Sequence, residues 1–166
     1  RTLPPFFEHK TRIVWSEIER VNQLDEIKHP SARECLRMME IDYGVEIHHD
    51  GDLPARTGLG SSSAFTVGLL NALNALEEKP MDKLDLARAA ITVERDMLRE
   101  NVGVQDQIIT ALGGFNRIDI STDGEYDVRP LEVEPERLRI LQDRLLLYYT
   151  GLSRYASDIA GELVNV

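Results

Sequence analysis

The stretch Pro54-Ala55-Arg56-Thr57-Gly58-Leu59-Gly60-Ser61-Ser62-Ser63-Ala64 constrains this chain more than any other. A β-like run, Val45 to His48, precedes it, and an apolar segment from Phe65 to Leu76 follows with little to break a helix. A glycine-rich loop that opens a helix presents backbone N–H groups without intrahelical partners, at the positive end of the helix dipole. That arrangement suits a phosphate. Gly58 and Gly60 permit backbone conformations and close approaches that a Cβ forbids. Ser61, Ser62 and Ser63 add hydroxyls able to cap the helix, bond phosphate oxygens or reach a metal. The string is none of three familiar loops. No Gly-Lys-Ser/Thr follows, Ser63 stands where a dinucleotide fingerprint needs glycine, and Ala64 stands where a nucleophile elbow needs glycine. The plain alternative is a serine N-cap after a turn.

A phosphate ligand must find local help in this chain, because the formal net charge is -10. That balance argues against a general binder of nucleic acid or anionic membranes, and it makes a divalent metal a natural companion for phosphate. Apolar residues make up 42% and charged residues 29%, as in a soluble globular protein. At 166 residues the chain is long enough for one packed domain, or one domain and part of another. No apolar run approaches the ~20 residues that cross a bilayer, and no signal-peptide pattern opens the chain, so a cytoplasmic location is expected. The single cysteine, Cys35, has no partner for an internal disulfide and falls in a helix-like stretch as a packed thiol.

Taken in order, Arg12 to Ser16 reads as a strand, with Trp15 as a packing residue or, alternatively, a stacking surface for a nucleotide base. Asn22 to Pro30 reads as loop. Ser31-Ala32-Arg33-Glu34 has capping-box form, with Leu36 and Met39 on the apolar face of the helix it opens. Val45 to His48 alternates as a half-buried strand, so His48 and the adjacent His49 point to opposite faces and cannot chelate one ion as a pair. His9 and His29 are isolated and expected in solvent, and no spacing suggests zinc. Asp82 caps a helix that runs towards Leu98; a break at Asn101-Val102-Gly103 follows, then a short helix from about Asp106 to Leu112, stopped by Gly113-Gly114. Phe115 to Ile120 and Tyr126 to Val133 form a hairpin around Thr122-Asp123-Gly124-Glu125. Pro135 to Asp143 is helical, Arg144 to Thr150 an apolar strand, Gly151 a turn, and Ser157 to Val164 another helix. The chain starts on Arg1 and stops within a helical pattern at Val166, which reads as a piece of a longer protein.

Phosphoryl transfer needs a phosphate cradle, a divalent metal and a group that orients or deprotonates the attacking hydroxyl. Read alone, Glu94 is a solvated acid beside Arg95 and Asp96, and Asp106 is an ordinary acid at a helix N-terminus. Their order and spacing after the serine loop change that weighing. The loop, then Glu94, then Gly103-Val104-Gln105-Asp106-Gln107, then Gly113-Gly114-Phe115-Asn116, resembles the GHMP kinase superfamily of galactokinase, homoserine kinase, mevalonate kinase and phosphomevalonate kinase. Tyr149-Thr150-Gly151-Leu152-Ser153-Arg154 and the third loop serine resemble its sugar-kinase branch that acts on D-glycero-D-manno-heptose 7-phosphate.

That resemblance implies an α+β fold: a ribosomal-protein-S5-like N-terminal domain over residues 1–143, lacking its first strands, then the start of a ferredoxin-like domain over residues 144–166. It implies ATP and Mg²⁺ as cofactors and a sugar or sugar-phosphate hydroxyl as acceptor, with the anomeric hydroxyl of the heptose as first choice. Galactokinase or fucokinase chemistry, or a non-catalytic sensing module on the same fold, are the alternatives. Carried over by position, Pro54, Thr57, Gly58, Leu59, Gly60, Ser61, Ser62 and Ser63 cradle the nucleotide, Ser62 and Glu94 hold Mg²⁺, and Asp106 is the base. Arg56 departs from the small residue usual in the family loop. The N-terminal strand motif and the glycine-rich C-terminal motif of complete members are absent.

Overall fold

The computed structural model describes residues 1–52 and 58–148. Strands β1 (Thr11–Val14) and β2 (Ile18–Val21) form a tight antiparallel hairpin, with Val14 opposite Ile18. The sequence reading missed β2, because the charged Glu19 and Arg20 mask its alternation. Chain direction then reverses through α1 (Pro30–Met38), which returns the chain to lay β3 (Val45–His48) parallel to β1. The sheet order is β2-β1-β3. A parallel neighbour requires such a crossover, since a two-residue turn cannot make one.

Helix α1 begins two residues earlier than the Ser31 capping box predicts. His29 is the N-cap, its Nδ1 accepting from the N–H of Ala32 at 3.3 Å, and Pro30 occupies the first turn where its missing N–H does no harm. Ser31 is buried, and Glu34 pairs with Arg33 and Arg37 instead of reaching back to the cap. The expectation of a solvent-exposed His29 is therefore corrected. Its ring lies 5.0 Å from Trp15 and 4.5 Å from Phe65, and burial, then the neighbouring His49, holds its pKa below the ordinary value. Trp15 is committed to that packing, and its indole N–H donates to Glu19 at 3.0 Å. The neighbouring histidines part as alternation requires: His48 bonds Glu46 at 2.9 Å, while His49 stacks on Phe65 at 4.2 Å.

Four helical segments cover the sheet and each other. Helix α2 (Ser61–Leu76) packs on α1, on α3 (Lys83–Ile91) and on α4 (Gln105–Leu112). Asp82 caps α3 as expected, accepting from the N–H groups of Leu84 and Asp85. Between α3 and the break, Thr92–Met97 widens into a π-helical turn. Ile13, Ile27, Leu36, Leu70 and Ile108 are the largest fully buried apolar side chains, drawn from sheet, loop and three helices, so one core serves all of these elements. Strands β4 (Asn116–Ile120) and β5 (Tyr126–Pro130) pair antiparallel as a separate two-stranded ribbon, followed by α5 (Pro135–Asp143), which buries none of its residues.

The apolar strand expected from Arg144 is not formed over its described part. Arg144 closes α5, and Leu145 to Tyr148 follow without a strand partner, exposed. An apolar run becomes a strand only when a neighbour pairs its backbone. The expected Gly151 turn and Ser157 to Val164 helix lie outside the described residues.

Candidate active site

Helix α2 starts at the serine loop. Gly60 is its N-cap, in the left-handed region at φ 70° and ψ 19°, and among the described residues no side chain caps the helix. The first intrahelical bond runs from the N–H of Ala64 to the carbonyl of Gly60 at 2.9 Å, so among the described residues the amides of Ser61, Ser62 and Ser63 are open to an anion. Gly58 and Leu59 precede it in the described part of the loop, with Leu59 exposed. Pro54 and Thr57 lie outside the described residues, as does Arg56.

The three serines divide in role. Ser61 is half-buried and Ser62 exposed at the helix tip, where the Ser62 carbonyl accepts from Thr66 Oγ1 at 3.1 Å. Ser63 turns inward, and its hydroxyl donates to Glu94 Oε2 at 2.8 Å. The serine bonded to Glu94 is thus the third of the loop, not the second.

Glu94 sits in the π turn, only 1% exposed. Widened turns of this kind are frequent at functional sites. Beyond Ser63, its other side-chain partner among the described residues is Gln107, whose Nε2 donates to the same oxygen, Oε2. Among the described residues Oε1 has no hydrogen-bond partner. A buried carboxylate met only by neutral donors, with one oxygen left over, is unfavourable unless a cation completes it. Its negative charge reaches its neighbours. Burial and then Glu94 push the carboxyl of Glu100 above its usual range, and burial, Glu94 and Glu34 push the Cys35 thiol up to about 12. Cys35 is therefore the inert, packed thiol expected of it.

Asp106 lies in the first turn of α4, exposed, at a helix N-terminus that no side chain caps. A methyl built on Gly60 would come within 3.2 Å of both Cγ and Oδ2 of Asp106. Two open helix N-termini, those of α2 and α4, thus meet with one carboxylate between them. Asp106 also lines a groove of about 350 Å³ together with Gln105, Ile109, Asn116, Ile118 and Ile120.

Gly60 and Gly58 share a positive φ, at 70° and 75°, but among the described residues nothing lies within 4 Å of a Cβ on Gly58. Alanine at either position is expected to lower stability by about 1–2 kcal/mol, the strain of a left-handed L-residue. Only Gly60→Ala also presses on Asp106. Urea unfolding should therefore show similar losses in the two variants, with the Asp106 carboxyl resonance displaced in NMR spectra only in Gly60→Ala.

Two of these features are legible in the sequence only in part. Gln107 follows Asp106 on α4 and turns to the buried side, between Val104 and Ile108, which are also buried. The π turn has no sequence signal that the reading used.

A family model described as "GHMP kinases N terminal domain" matches residues 27–114. The chain belongs to the GHMP kinase family. Within that family it is 33% identical over 113 residues to a D-glycero-alpha-D-manno-heptose 7-phosphate kinase from Campylobacter jejuni, covering 68% of this chain and 33% of that protein. It is 30% identical over 96 residues to a galactokinase from Streptococcus mutans, covering 56% of this chain and 24% of the relative. The crystal structure of a D-glycero-D-manno-heptose 1-phosphate kinase from Bacteriodes thetaiotaomicron superposes with a TM-score of 0.70 at 25% identity, covering 83% of this chain and 48% of that one. The chain thus spans a third or less of these curated relatives and about half of the solved structure. The α+β GHMP kinase fold expected from the loop and its carboxylates is the fold observed.

GHMP kinases use ATP, generally with Mg²⁺, and the donors present here fit such an ion. Mg²⁺ takes one or two protein carboxylate or hydroxyl oxygens and keeps several waters. Glu94 offers one oxygen without a partner among the described residues, the Ser63 hydroxyl bonds its other oxygen, and the Ser62 hydroxyl neighbours Ser63 in sequence. Among the described residues no group of three or more His, Cys, Asp or Glu side chains is placed to hold a metal ion.

Proposed function

We propose that this chain forms the nucleotide-binding part of an ATP- and Mg²⁺-dependent kinase that phosphorylates a sugar phosphate, with the anomeric hydroxyl of D-glycero-D-manno-heptose 7-phosphate as acceptor. The observation that carries this reading is the Asp106 carboxylate lying against Gly60, the residue that opens the serine loop's helix. A base placed at the phosphate cradle is what direct transfer between hydroxyl and γ-phosphate demands.

In this reading the open amides from Gly58 to Ser63 hold the ATP phosphates. Pro54 and Thr57 belong to the same cradle. Glu94, with Ser62, holds Mg²⁺, whose role when bound is to neutralise charge on the phosphate oxygens. Asp106 orients the acceptor hydroxyl and takes its proton. The acceptor oxygen forms a bond to the γ-phosphorus as the bond to the β,γ-bridging oxygen breaks, and ADP leaves with that electron pair. The heptose assignment rests on the Campylobacter relative and the superposed heptose kinase structure; similarity to the galactokinase supports a simple hexose as the second choice.

Calorimetric titration with ATP, with and without Mg²⁺, followed by ADP release against a panel of sugars, tests the reading. Mg²⁺-dependent binding and ADP release with heptose 7-phosphate are expected. ADP release with galactose or fucose alone would replace the substrate, and ATP binding indifferent to Mg²⁺ would overturn the reading.

A further inference from the structure

Two buried oxygens in one three-residue cluster lack a partner among the described residues: Glu94 Oε1 and Gln107 Oε1. The cluster joins three elements. Ser63 comes from α2, Glu94 from the π turn and Gln107 from α4, and both donors meet the same oxygen of Glu94. Gln107 is 1% exposed. An amide buried to that degree normally satisfies both of its ends. Here the N–H₂ end is engaged and the carbonyl end is not.

We infer that Gln107 is a positioning residue for the cation: its Nε2 pins Oε2 of Glu94, leaving Oε1 as the free ligand, and its own Oε1 is the acceptor for a cation-bound water. This rests on the phosphotransfer reading of the same site. The geometry separates the two carboxylate oxygens by function. Both available donors crowd onto Oε2, and with Gln107 gone only Ser63 would remain to stop the carboxylate from rotating. An oriented ligand binds a metal more tightly than a free one, and loss of an outer-shell partner of this sort typically weakens metal affinity roughly 10–100-fold. Nothing about the neighbouring Asp106 requires an amide at the next position. Packing alone would be served by any apolar side chain of that volume.

The experiment is a Mn²⁺ titration of the chain in the presence of ATP, read by electron paramagnetic resonance. Gln107→Met keeps volume and length but removes the donor, and is expected to weaken Mn²⁺ affinity about 10–100-fold. Ile108→Val, buried on the same helix, loosens packing alone and should leave Mn²⁺ affinity unchanged. Ser63→Ala removes the other donor to Oε2; it should also weaken Mn²⁺, and it carries the test if Gln107→Met does not fold. Wild-type Mn²⁺ affinity in Gln107→Met, or an equal loss in Ile108→Val, overturns the positioning role alone. A wild-type chain that binds no Mn²⁺ with ATP present overturns this role and the phosphotransfer reading together.

Discussion

Asp106→Asn is expected to lower phosphoryl transfer by roughly 10²–10⁴-fold, the usual contribution of a positioned general base. Asparagine matches aspartate in size and keeps one oxygen to accept from the acceptor hydroxyl, but it takes no proton at neutral pH. The side chain is exposed, and none of the described hydrogen bonds of the core runs through it, so folding should be unaffected. Mg²⁺-dependent ATP binding should persist at wild-type strength, because the open amides at the start of α2 remain. Single-turnover kinetics beside a nucleotide titration separate the two. Loss of ATP binding in Asp106→Asn would assign the residue to the cradle, and wild-type turnover would remove it from the chemistry.

Glu94→Gln carries the second large effect, and its two readouts move in opposite directions. Cation affinity should fall by more than the roughly 10–100-fold that follows loss of a supporting residue, since the ligand itself is neutralised. Stability of the cation-free chain should rise. Glu94 is 1% exposed and is met by two neutral donors, so its charge is buried without compensation until a cation arrives. Glutamine fills the same space without that charge. The repulsion that Glu94 exerts on Glu100 also disappears, so the raised carboxyl of Glu100 should titrate lower, as proton–carbon NMR would record. A rise in thermal midpoint together with lost Mg²⁺ dependence is the expected pair. A fall in both would mean that Glu94 is compensated without metal.

Much of this site was legible from the loop outward. The glycines and serines, the apolar helix behind them and Asp82 as a cap follow from local chemistry, whereas Glu94 and Asp106 stand out only through the resemblance, since read alone each is an ordinary acid. Glu94 was legible as a core residue too, from a signal the reading passed over. Leu86, Ala90 and Val93 recur at helical spacing, and Glu94 follows Ala90 by four, on the same buried face. Its charged neighbours Arg95 and Asp96 disguised it. The cap of α1 was misplaced because a histidine is a rare N-cap, and Ser31 offered a commoner pattern; the wall formed by Trp15 and Phe65 decided in favour of His29. The run after Arg144 failed as a strand because pairing is a long-range condition that no local pattern encodes. The convergence of α2 and α4 on Asp106 is of the same kind, since it depends on how helices pack.

The hydrogen bonds from Ser63 and Gln107 to Glu94 bind α2, the π turn and α4 into one unit. A descendant that abandoned catalysis could exchange these three side chains for apolar ones only as a set, since losing one strands the polar atoms of the others. Their joint presence therefore speaks for architecture as well as chemistry. Asp106, exposed and answerable to no packing demand, is the better witness: of the two acids, it is the one that drift is free to erase once there is nothing left to phosphorylate.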